Sequence, residues 1–216
     1  MIPAPSTLQT RAVRGVASKS GFALAALTIA LLLAPEVRTA AAAPAPATAT
    51  RVVRRTTPPD SAAVMKLLDG VLNATCPLPG VASGGQVGAG QVKALAGAGF
   101  RTVLDLRAPD EPRGYDEAGA VKRAGLAYVL LPVTAATLGD ATFDRVRALM
   151  GDTKRHPVMV HCASGNRVGV VLLPWLVLDR GWSLKDAVAM AEQGGMRTGP
   201  LRERALDYIE RGRTKH

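Results

Sequence analysis

Cysteine, histidine and aromatic residues are scarce in this chain of 216 residues, which contains two cysteines, three histidines and eight aromatic residues. So few cysteines exclude a small domain that depends on a framework of disulfide bonds. No cluster of histidine, cysteine and acidic residues has the spacing of a metal site, so we expect no metal. The glycines between residues 84 and 90 lack the register of a nucleotide-binding fingerprint, so no cofactor is implied.

Long hydrophobic runs are also lacking. The N-terminal apolar segment, Gly21 to Ala34, has fourteen residues, too few to span a bilayer comfortably. It follows Arg11, Arg14 and Lys19 and precedes alanine-rich sequence with A-x-A-like sites, which is the pattern of a secretory signal peptide over residues 1–43. We therefore expect a periplasmic or secreted bacterial protein with no stable membrane insertion after cleavage. An uncleaved anchor is the alternative.

The net charge of +10 is concentrated in the N-terminal part of the chain. Residues 1–43 contain four basic residues and one acidic residue, and residues 44–59 contain three basic residues, which leaves a net charge of +4 for residues 60–216. Residues 44–59, rich in alanine, proline and threonine, predict a flexible linker. Residues 60–216 have the length of one domain. Its modest charge, without a basic stripe interleaved with aromatics, gives no reason to expect a nucleic-acid partner.

The segment Val158–Gly169 has the strongest functional pattern. An apolar run of strand character ends at His161 and Cys162, continues through small residues and opens into an apolar helical pattern. In such a strand–loop–helix unit the loop N–H groups point inward and the helix presents the positive end of its dipole. The sequence therefore predicts a loop that binds a phosphate-sized anion.

Two side chains in this loop can act chemically. The helix N-terminus and the nearby Arg167 both favour the thiolate of Cys162, which makes its sulfur nucleophilic. Arg167 can offer two donors to a tetrahedral anion. We predict that Cys162 and Arg167 are catalytic and that the other loop residues bind substrate; these are His161, Ala163, Ser164, Gly165 and Asn166. A buried structural cysteine is the alternative.

The sequence from His161 to Arg167 resembles the signature loop of cysteine-dependent phosphatases of the dual-specificity type. It is most similar to a small bacterial branch whose members stand alone or are fused to NAD kinase or β-lactamase-hydrolase-like domains. Further landmarks occur in the same order upstream, at Ser83–Gln86, Ala98–Arg107 and Gly125–Val133. The resemblance implies a tyrosine-type or dual-specificity phosphatase that acts on a phosphorylated small molecule or protein through a phosphocysteine intermediate.

The chain departs from that pattern at two points. Four residues separate Cys162 from Arg167, whereas most such phosphatases have five. Rhodanese sulfurtransferases use the shorter spacing, so a sulfurtransferase with a Cys162 persulfide stays an alternative. Val168 replaces the usual serine or threonine after the arginine, although Ser164 could supply a hydroxyl group. A non-catalytic module that binds phosphate or other anions is therefore a third possibility.

The resemblance also implies a general acid, since a phosphatase must protonate the leaving alcohol. In relatives this aspartate follows the strand that precedes the nucleophile's strand, and Asp140 is the first carboxylate after Val133. Asp140 is our first prediction for the acid, with capping of a helix as its alternative role. Asp110 and Glu111 come second, because their loop could fold over the same cleft.

The remaining polar residues of interest have structural interpretations. We expect Asp105 to bind loop amides or Arg107, and Arg107 to form a structural salt bridge. His161 is expected to orient the loop and tune the nucleophile. Cys162 is expected to be free when the protein is active, and a reversible disulfide with Cys76 is the alternative.

Strand and helix patterns alternate along the domain. Strands are predicted at 81–84, 100–106, 126–133 and 158–161, and helices follow each of them. Ser183 with Asp186 predicts a capped helix start, and Pro200 predicts the first turn of a last helix. This order predicts an α/β fold of three layers, with a mainly parallel central sheet, helices on both faces and the cysteine loop beyond a strand's carboxyl end.

Overall fold

A computed structural model describes residues 57–214. The predicted signal peptide lies outside the described residues, as does the predicted linker apart from residues 57–59. Between residues 57 and 214, no helix combines the length and the apolar character needed to cross a membrane.

The described part of the chain contains five strands and seven α-helices, in the order α1, β1, β2, α2, β3, α3, β4, α4, β5, α5, α6, α7. The strands are β1 Thr75–Leu78, β2 Val81–Gly84, β3 Thr102–Asp105, β4 Ala127–Leu130 and β5 Val158–His161. The helices are α1 Ser61–Leu67, α2 Ala89–Gly97, α3 Glu117–Arg123, α4 Asp140–Gly151, α5 Asn166–Leu178, α6 Leu184–Gln193 and α7 Pro200–Arg213, and a short 3₁₀ helix spans Thr153–Arg155.

The strands form one sheet in the order β1-β2-β5-β3-β4. Strand β1 runs antiparallel to β2, and the other neighbouring pairs are parallel. Strand β5, which precedes the signature loop, is therefore central, with β2 on one side and β3 on the other. The predicted mainly parallel sheet is confirmed.

Helices cover both faces of the sheet because successive strand residues point to opposite sides. Val158 and Val160 of β5 pack in a core with helices α4 to α7. Met159, between them, packs in a second core with helices α1 to α3. The three-layer arrangement predicted from the alternating pattern is present in the structure.

Local capping explains where several helices begin. The Ser183 side chain accepts a hydrogen bond from the Asp186 N–H at 3.1 Å, and Pro200 is the first residue of α7. Asp140 differs from the prediction, because Gly139 is the N-cap of α4 and Asp140 is the first helical residue. A carboxylate there still interacts favourably with the helix dipole.

The register of the parallel strands brings their carboxyl ends to one edge of the sheet. Gly84 of β2 and Asp105 of β3 both pair with His161, the last residue of β5. The loops that follow β2, β3 and β5 therefore start side by side. This edge carries the candidate site, as expected for an open α/β sheet.

Candidate active site

The signature loop, which we define as residues 162–167, connects β5 to α5. Cys162 follows the last strand residue, and α5 begins at Asn166. Gly165, the N-cap of α5, has a φ of 90° and therefore adopts a left-handed conformation that favours glycine. A Cβ atom there would lie 2.1 Å from the carbonyl oxygen of Gly194, so glycine is also required for packing.

The Cys162 sulfur faces a backbone N–H group of the loop. The Gly165 N–H donates a hydrogen bond to Sγ over 3.1 Å. Cys162 is only 1% exposed, whereas Ala163 is exposed and Ser164, Asn166 and Arg167 are partly exposed. The nucleophile and Gly165 are thus buried, whereas the remaining residues of the loop reach solvent. The Gly165 N–H therefore supplies a fixed donor at the point where negative charge on the sulfur or on a bound anion would lie.

Arg167 lies in the first turn of α5 and reaches the loops that follow β3 and β4. Its guanidinium nitrogen Nη1 lies 3.5 Å from the Leu106 carbonyl oxygen and 3.4 Å from that of Val133. Hydrogen bonding to Glu111 raises the pKa of Arg167, and the nearby Cys162 sulfur adds to this rise. The predicted catalytic pair is therefore brought together, with the cation close to the sulfur.

Glu111 is the carboxylate that the structure places on Arg167. Its two oxygens accept hydrogen bonds from Nη1 at 2.5 Å and Nη2 at 2.6 Å, which is a bidentate pair. These hydrogen bonds lower the pKa of Glu111. Glu111 also accepts from the Ala108 N–H at 2.7 Å, which fixes the loop between β3 and α3. The sequence-based expectation that this loop folds over the cleft agrees with the placement.

Asp140, our first prediction for the general acid, occupies different surroundings. Its oxygens accept hydrogen bonds from Arg211 of α7 at 2.6 and 2.9 Å, and both side chains are about half-exposed. It lines a cavity of about 180 Å³ with Asp144, Arg147, Leu178, Tyr208, Arg211 and Gly212. The structure thus pairs Asp140 with α7, and its role as an acid stays a prediction.

Asp105 is the centre of a buried group of charged side chains behind the loop. It accepts hydrogen bonds from Nε of Arg107 at 3.0 Å, Nε of Arg113 at 2.9 Å and the Tyr128 hydroxyl at 2.8 Å. Burial alone would raise the pKa of Asp105, but the Arg107 hydrogen bond, His161 and Tyr128 lower it to about 2. The structural role predicted for Asp105 and Arg107 agrees with these contacts.

Glu117, the first residue of α3, links this group to the signature loop. One of its oxygens contacts Arg107, and the other lies 2.7 Å from Nε2 of His161. The latter contact has ion-pair distance but not hydrogen-bond alignment. The other ring nitrogen of His161, Nδ1, lies 3.4 Å from the Cys162 carbonyl oxygen, which can only accept. His161 is fully buried and therefore fixed between Glu117 and the loop.

The same group contains the one set of three potential metal ligands found among the described residues. Ligand atoms of Asp105, Glu117 and His161 lie within 4.8 Å of one another. Arg107 contacts both carboxylates, so its guanidinium already supplies the positive charge that a metal ion would bring. The arrangement does not fit a cation site.

The two cysteines are both free and belong to different faces of the sheet. Cys76 of β1 packs against the core formed with α1 to α3, whereas Cys162 belongs to the core formed with α4 to α7. Burial raises the pKa of the Cys76 thiol, and Asp60 raises it further, so this thiol is poorly reactive. The geometry gives no support to the alternative of a reversible disulfide between them.

Sequence reasoning missed two residues at the site, Glu117, which contacts His161, and Asn73, which contacts the loop. Glu117 has a detectable signal, because it precedes the buried Val121 by four residues and therefore shares its helical face. Asn73 has no such signal, since it lies in a turn. Its side-chain amide donates a hydrogen bond to the Ser164 carbonyl oxygen at 2.7 Å.

The chain matches a family described as DSP-PTPase phosphatase fused to NAD+ kinase over residues 79–208. The match extends from just before β2 into α7 and thus includes the signature loop, Glu111 and Glu117. Two curated relatives are beta-lactamase hydrolase-like proteins of Xylella fastidiosa, from strains 9a5c and Temecula1. They are 29% and 28% identical to this chain over 117 residues, which is 52% of this chain and 26% of each relative. The chain thus spans about a quarter of the length of these relatives.

The fold is similar to that of several solved structures. A DUF442 protein of Shewanella putrefaciens CN-32, described as a phosphatase, aligns with a TM-score of 0.58 and 20% identity, covering 70% of this chain and 97% of its own. Tk-PTP in its active form aligns with a TM-score of 0.55 and 21% identity over 64% of this chain and 97% of its own. P. aeruginosa TpbA, crystallised with phosphotyrosine, aligns with a TM-score of 0.51 and 21% identity over 64% of this chain and 83% of its own. These similarities establish the fold of a cysteine phosphatase.

Proposed function

Because the chain belongs to the family of DSP-PTPase phosphatases fused to NAD+ kinase, we propose that it is an exported cysteine-dependent phosphatase. It hydrolyses phosphate monoesters through a phosphocysteine intermediate. The observation that carries the proposal is the surroundings of the Cys162 sulfur, which accepts the Gly165 N–H at 3.1 Å and lies close to the guanidinium of Arg167. This arrangement suits a nucleophilic sulfur beside a site for a tetrahedral dianion.

The reaction has two steps. In the first, the Cys162 thiolate attacks phosphorus, an S–P bond forms, the P–O bond to the alcohol breaks, and an acid gives its proton to the departing oxygen. In the second, water attacks phosphorus, gives a proton to the same residue, and releases phosphate as the S–P bond breaks. Loop N–H groups and Arg167 hold the non-bridging oxygens in both steps.

Two carboxylates divide the remaining roles in the proposal. Arg167 lowers the pKa of Glu111, so Glu111 is ionised at neutral pH. An ionised carboxylate can hold Arg167 in place but has no proton to donate to the leaving group. Asp140 keeps the role of acid, because it follows the loop whose Val133 carbonyl contacts Arg167. To reach a leaving group it has to release Arg211, with which it is paired.

One assay tests the proposal against its alternatives. Purified protein is given p-nitrophenyl phosphate in one experiment and thiosulfate with cyanide in another, each with and without vanadate. We expect phosphate release that vanadate inhibits and no thiocyanate. Thiocyanate formation without phosphate release would instead identify a sulfurtransferase, which the four-residue spacing between Cys162 and Arg167 allows. Vanadate binding without turnover of either substrate would identify an anion-binding module.

The export part of the proposal is supported by the basic, apolar and alanine-rich order of residues 1–43. N-terminal sequencing of protein recovered from a periplasmic extract checks it. We expect the mature chain to begin near the A-x-A-like sites between Ala40 and Ala47. Recovery of the intact N-terminus, in the membrane fraction, would contradict cleavage.

Replacement of the acid is expected to slow only reactions that need a proton. Since p-nitrophenolate leaves readily as an anion, Asp140→Asn should change its release little, while hydrolysis of an alkyl phosphate falls roughly 10²-fold or more. The KM should stay unchanged. Asp207→Asn is the matched control, because Asp207 also binds Arg211, at 2.9 Å, without a predicted part in the reaction.

Loss of Glu111, the partner of Arg167, is expected to affect anion binding and KM instead. Glu111→Gln should weaken vanadate binding and raise KM for both esters, since Arg167 loses its bidentate carboxylate and its fixed position.

If Asp140→Asn hydrolyses alkyl phosphates as fast as the wild type, Asp140 is not the acid. Asp110→Asn is then the next variant to measure.

A further inference from the structure

Three consecutive carbonyl groups of the signature loop have hydrogen-bond partners outside residues 162–167. The Cys162 carbonyl faces Nδ1 of His161 at 3.4 Å, and the Ala163 carbonyl accepts the Gln86 N–H at 3.3 Å. The Ser164 carbonyl accepts the side-chain amide of Asn73 at 2.7 Å, the shortest of the three contacts. Three separate elements of the fold therefore hold three consecutive peptide groups.

The orientation of each carbonyl determines the orientation of the next N–H group. In a planar trans peptide the C=O of one residue and the N–H of the following residue point in opposite directions. A Ser164 carbonyl directed at Asn73 therefore directs the Gly165 N–H the other way. That N–H donates to the Cys162 sulfur at 3.1 Å, as this geometry requires.

The Asn73 backbone is suited to this contact. Asn73 has a φ of 52° and is the one non-glycine residue with a positive φ among residues 57–214. Asparagine tolerates this region better than most residues, although it still costs free energy relative to glycine. The neighbouring Leu72 carbonyl accepts the Gly85 N–H at 2.7 Å, which ties this turn to the end of β2 beside the loop.

Close packing leaves the Asn73 side chain little freedom. A Cβ atom on Gly195 would lie 2.6 Å from its amide nitrogen, and one on Gly165 would lie 3.2 Å from its Cβ. The half-buried amide therefore lies in close contact with the signature loop and with the segment that follows α6. A side chain held in this way can fix a peptide orientation rather than follow it.

We propose that Asn73 is a positioning residue, whose side-chain amide orients the Ser164–Gly165 peptide so that the Gly165 N–H faces the sulfur of Cys162 and the phosphoryl group it attacks. This assignment rests on the proposed phosphatase function. Asn73 contacts neither the sulfur nor the substrate itself. It acts through the peptide group, and its effect is largest where negative charge develops during phosphoryl transfer.

Asn73→Gly removes the side-chain amide but keeps the backbone conformation of the turn. Glycine accepts the left-handed φ without steric cost, so the turn is retained while the donor to Ser164 is lost. We expect kcat for p-nitrophenyl phosphate to fall roughly 10- to 100-fold, somewhat less than for complete removal of an oxyanion donor. Vanadate, which resembles the transition state, should lose more affinity than inorganic phosphate, while the thermal midpoint stays near that of the wild type.

The control and the second variant keep this test decisive. Gln91→Ala removes another side-chain amide that binds a backbone carbonyl, that of Asp69, away from the loop, and should leave both anion affinities unchanged. Asn73→Asp keeps the size and the tolerance for a positive φ but cannot donate to Ser164, and it replaces Asn73→Gly if the glycine variant is unstable. Equal ratios of vanadate to phosphate affinity in wild type and a folded Asn73 variant would overturn the assignment. Because binding is measured directly, this result is independent of whether the wild type turns over any ester.

Discussion

Replacing Cys162 by serine is expected to reduce hydrolysis of p-nitrophenyl phosphate by at least about 10⁴-fold, as found when an enzyme loses its nucleophile. A serine hydroxyl remains protonated at neutral pH, and the loop that favours a thiolate cannot ionise it to a useful extent. The N–H groups of the loop and Arg167 remain, so phosphate binding should be retained. The measurements are steady-state kinetics and calorimetric titration with phosphate.

Cys76→Ser is the matched control for this variant, because it makes the same chemical change in the other cysteine. Cys76 is half-buried on the opposite face of the sheet and lies outside the family match. We expect its kinetics to equal those of the wild type. Rapid acid quenching should trap a phosphoenzyme in Cys76→Ser and none in Cys162→Ser. Hydrolysis that survives in Cys162→Ser would rule out the covalent mechanism.

The central strand, the signature loop and the helix after it could be predicted because the residues change character sharply there. A β-branched apolar run, a stretch of small residues and a second apolar run follow one another between Val158 and Gly169. Each favours one local structure through its own side chains. The strand ends were less accurate, since the run predicted over residues 100–106 forms a strand only at Thr102–Asp105.

Strand β1 and helix α1, in the first part of the domain, were not predicted, and the reason differs between them. Strand β1 has four residues, includes Pro77 and lies at the edge of the sheet, where a missing N–H is tolerated and no clear alternation develops. Helix α1 has seven residues, so its pattern is too short to recognise. It begins after Asp60, whose side chain accepts the Ala63 N–H at 3.0 Å.

The site shows the same division between local and long-range information. Cys162 and Arg167 lie in one short segment, so their proximity follows from the sequence. The Glu111 contact with Arg167 joins residues that are 56 positions apart, and the Asn73 contact with Ser164 joins residues that are 91 positions apart. Tertiary packing decides such pairs, so the sequence indicated the loop that contains Glu111 but not its bidentate contact with Arg167.

The largest expected change in stability comes from Glu117→Gln, because this carboxylate is completely buried in an ion pair with Arg107. Glu117 contacts Arg107 and His161, and all three side chains have no exposure to solvent. Removing one partner of a buried ion pair leaves the remaining charge less well compensated, here with Asp105 as the remaining carboxylate beside Arg107, and costs about 3–5 kcal/mol of the free energy of unfolding. We expect the thermal midpoint to fall by roughly 10 °C or more, as measured by calorimetry.

Asp116→Asn is the matched control for Glu117→Gln, because it neutralises the adjacent carboxylate at the surface. Asp116 caps α3 by accepting the Gly119 N–H at 2.9 Å, a contact that asparagine can also make. Its ion pair with Arg123 is solvent-exposed and contributes little. Similar stability losses in the two variants would show that the buried group contributes no more than a surface pair.

The pH dependence of stability provides a second test of the same buried group. Asp105 has a pKa of about 2 in the folded protein, against 3.8 for an ordinary aspartate. Because its folded pKa is depressed, its contribution to stability is complete above about pH 4 and is lost as the pH falls towards 2. Glu117→Gln leaves Arg107 with Asp105 as its remaining carboxylate partner. The variant should therefore be less stable than the wild type at pH 7 and should still lose stability as the pH falls towards 2. A variant that is as stable as the wild type at pH 7 would mean that the Arg107 charge is compensated elsewhere, and that Glu117 does not hold His161 behind the loop.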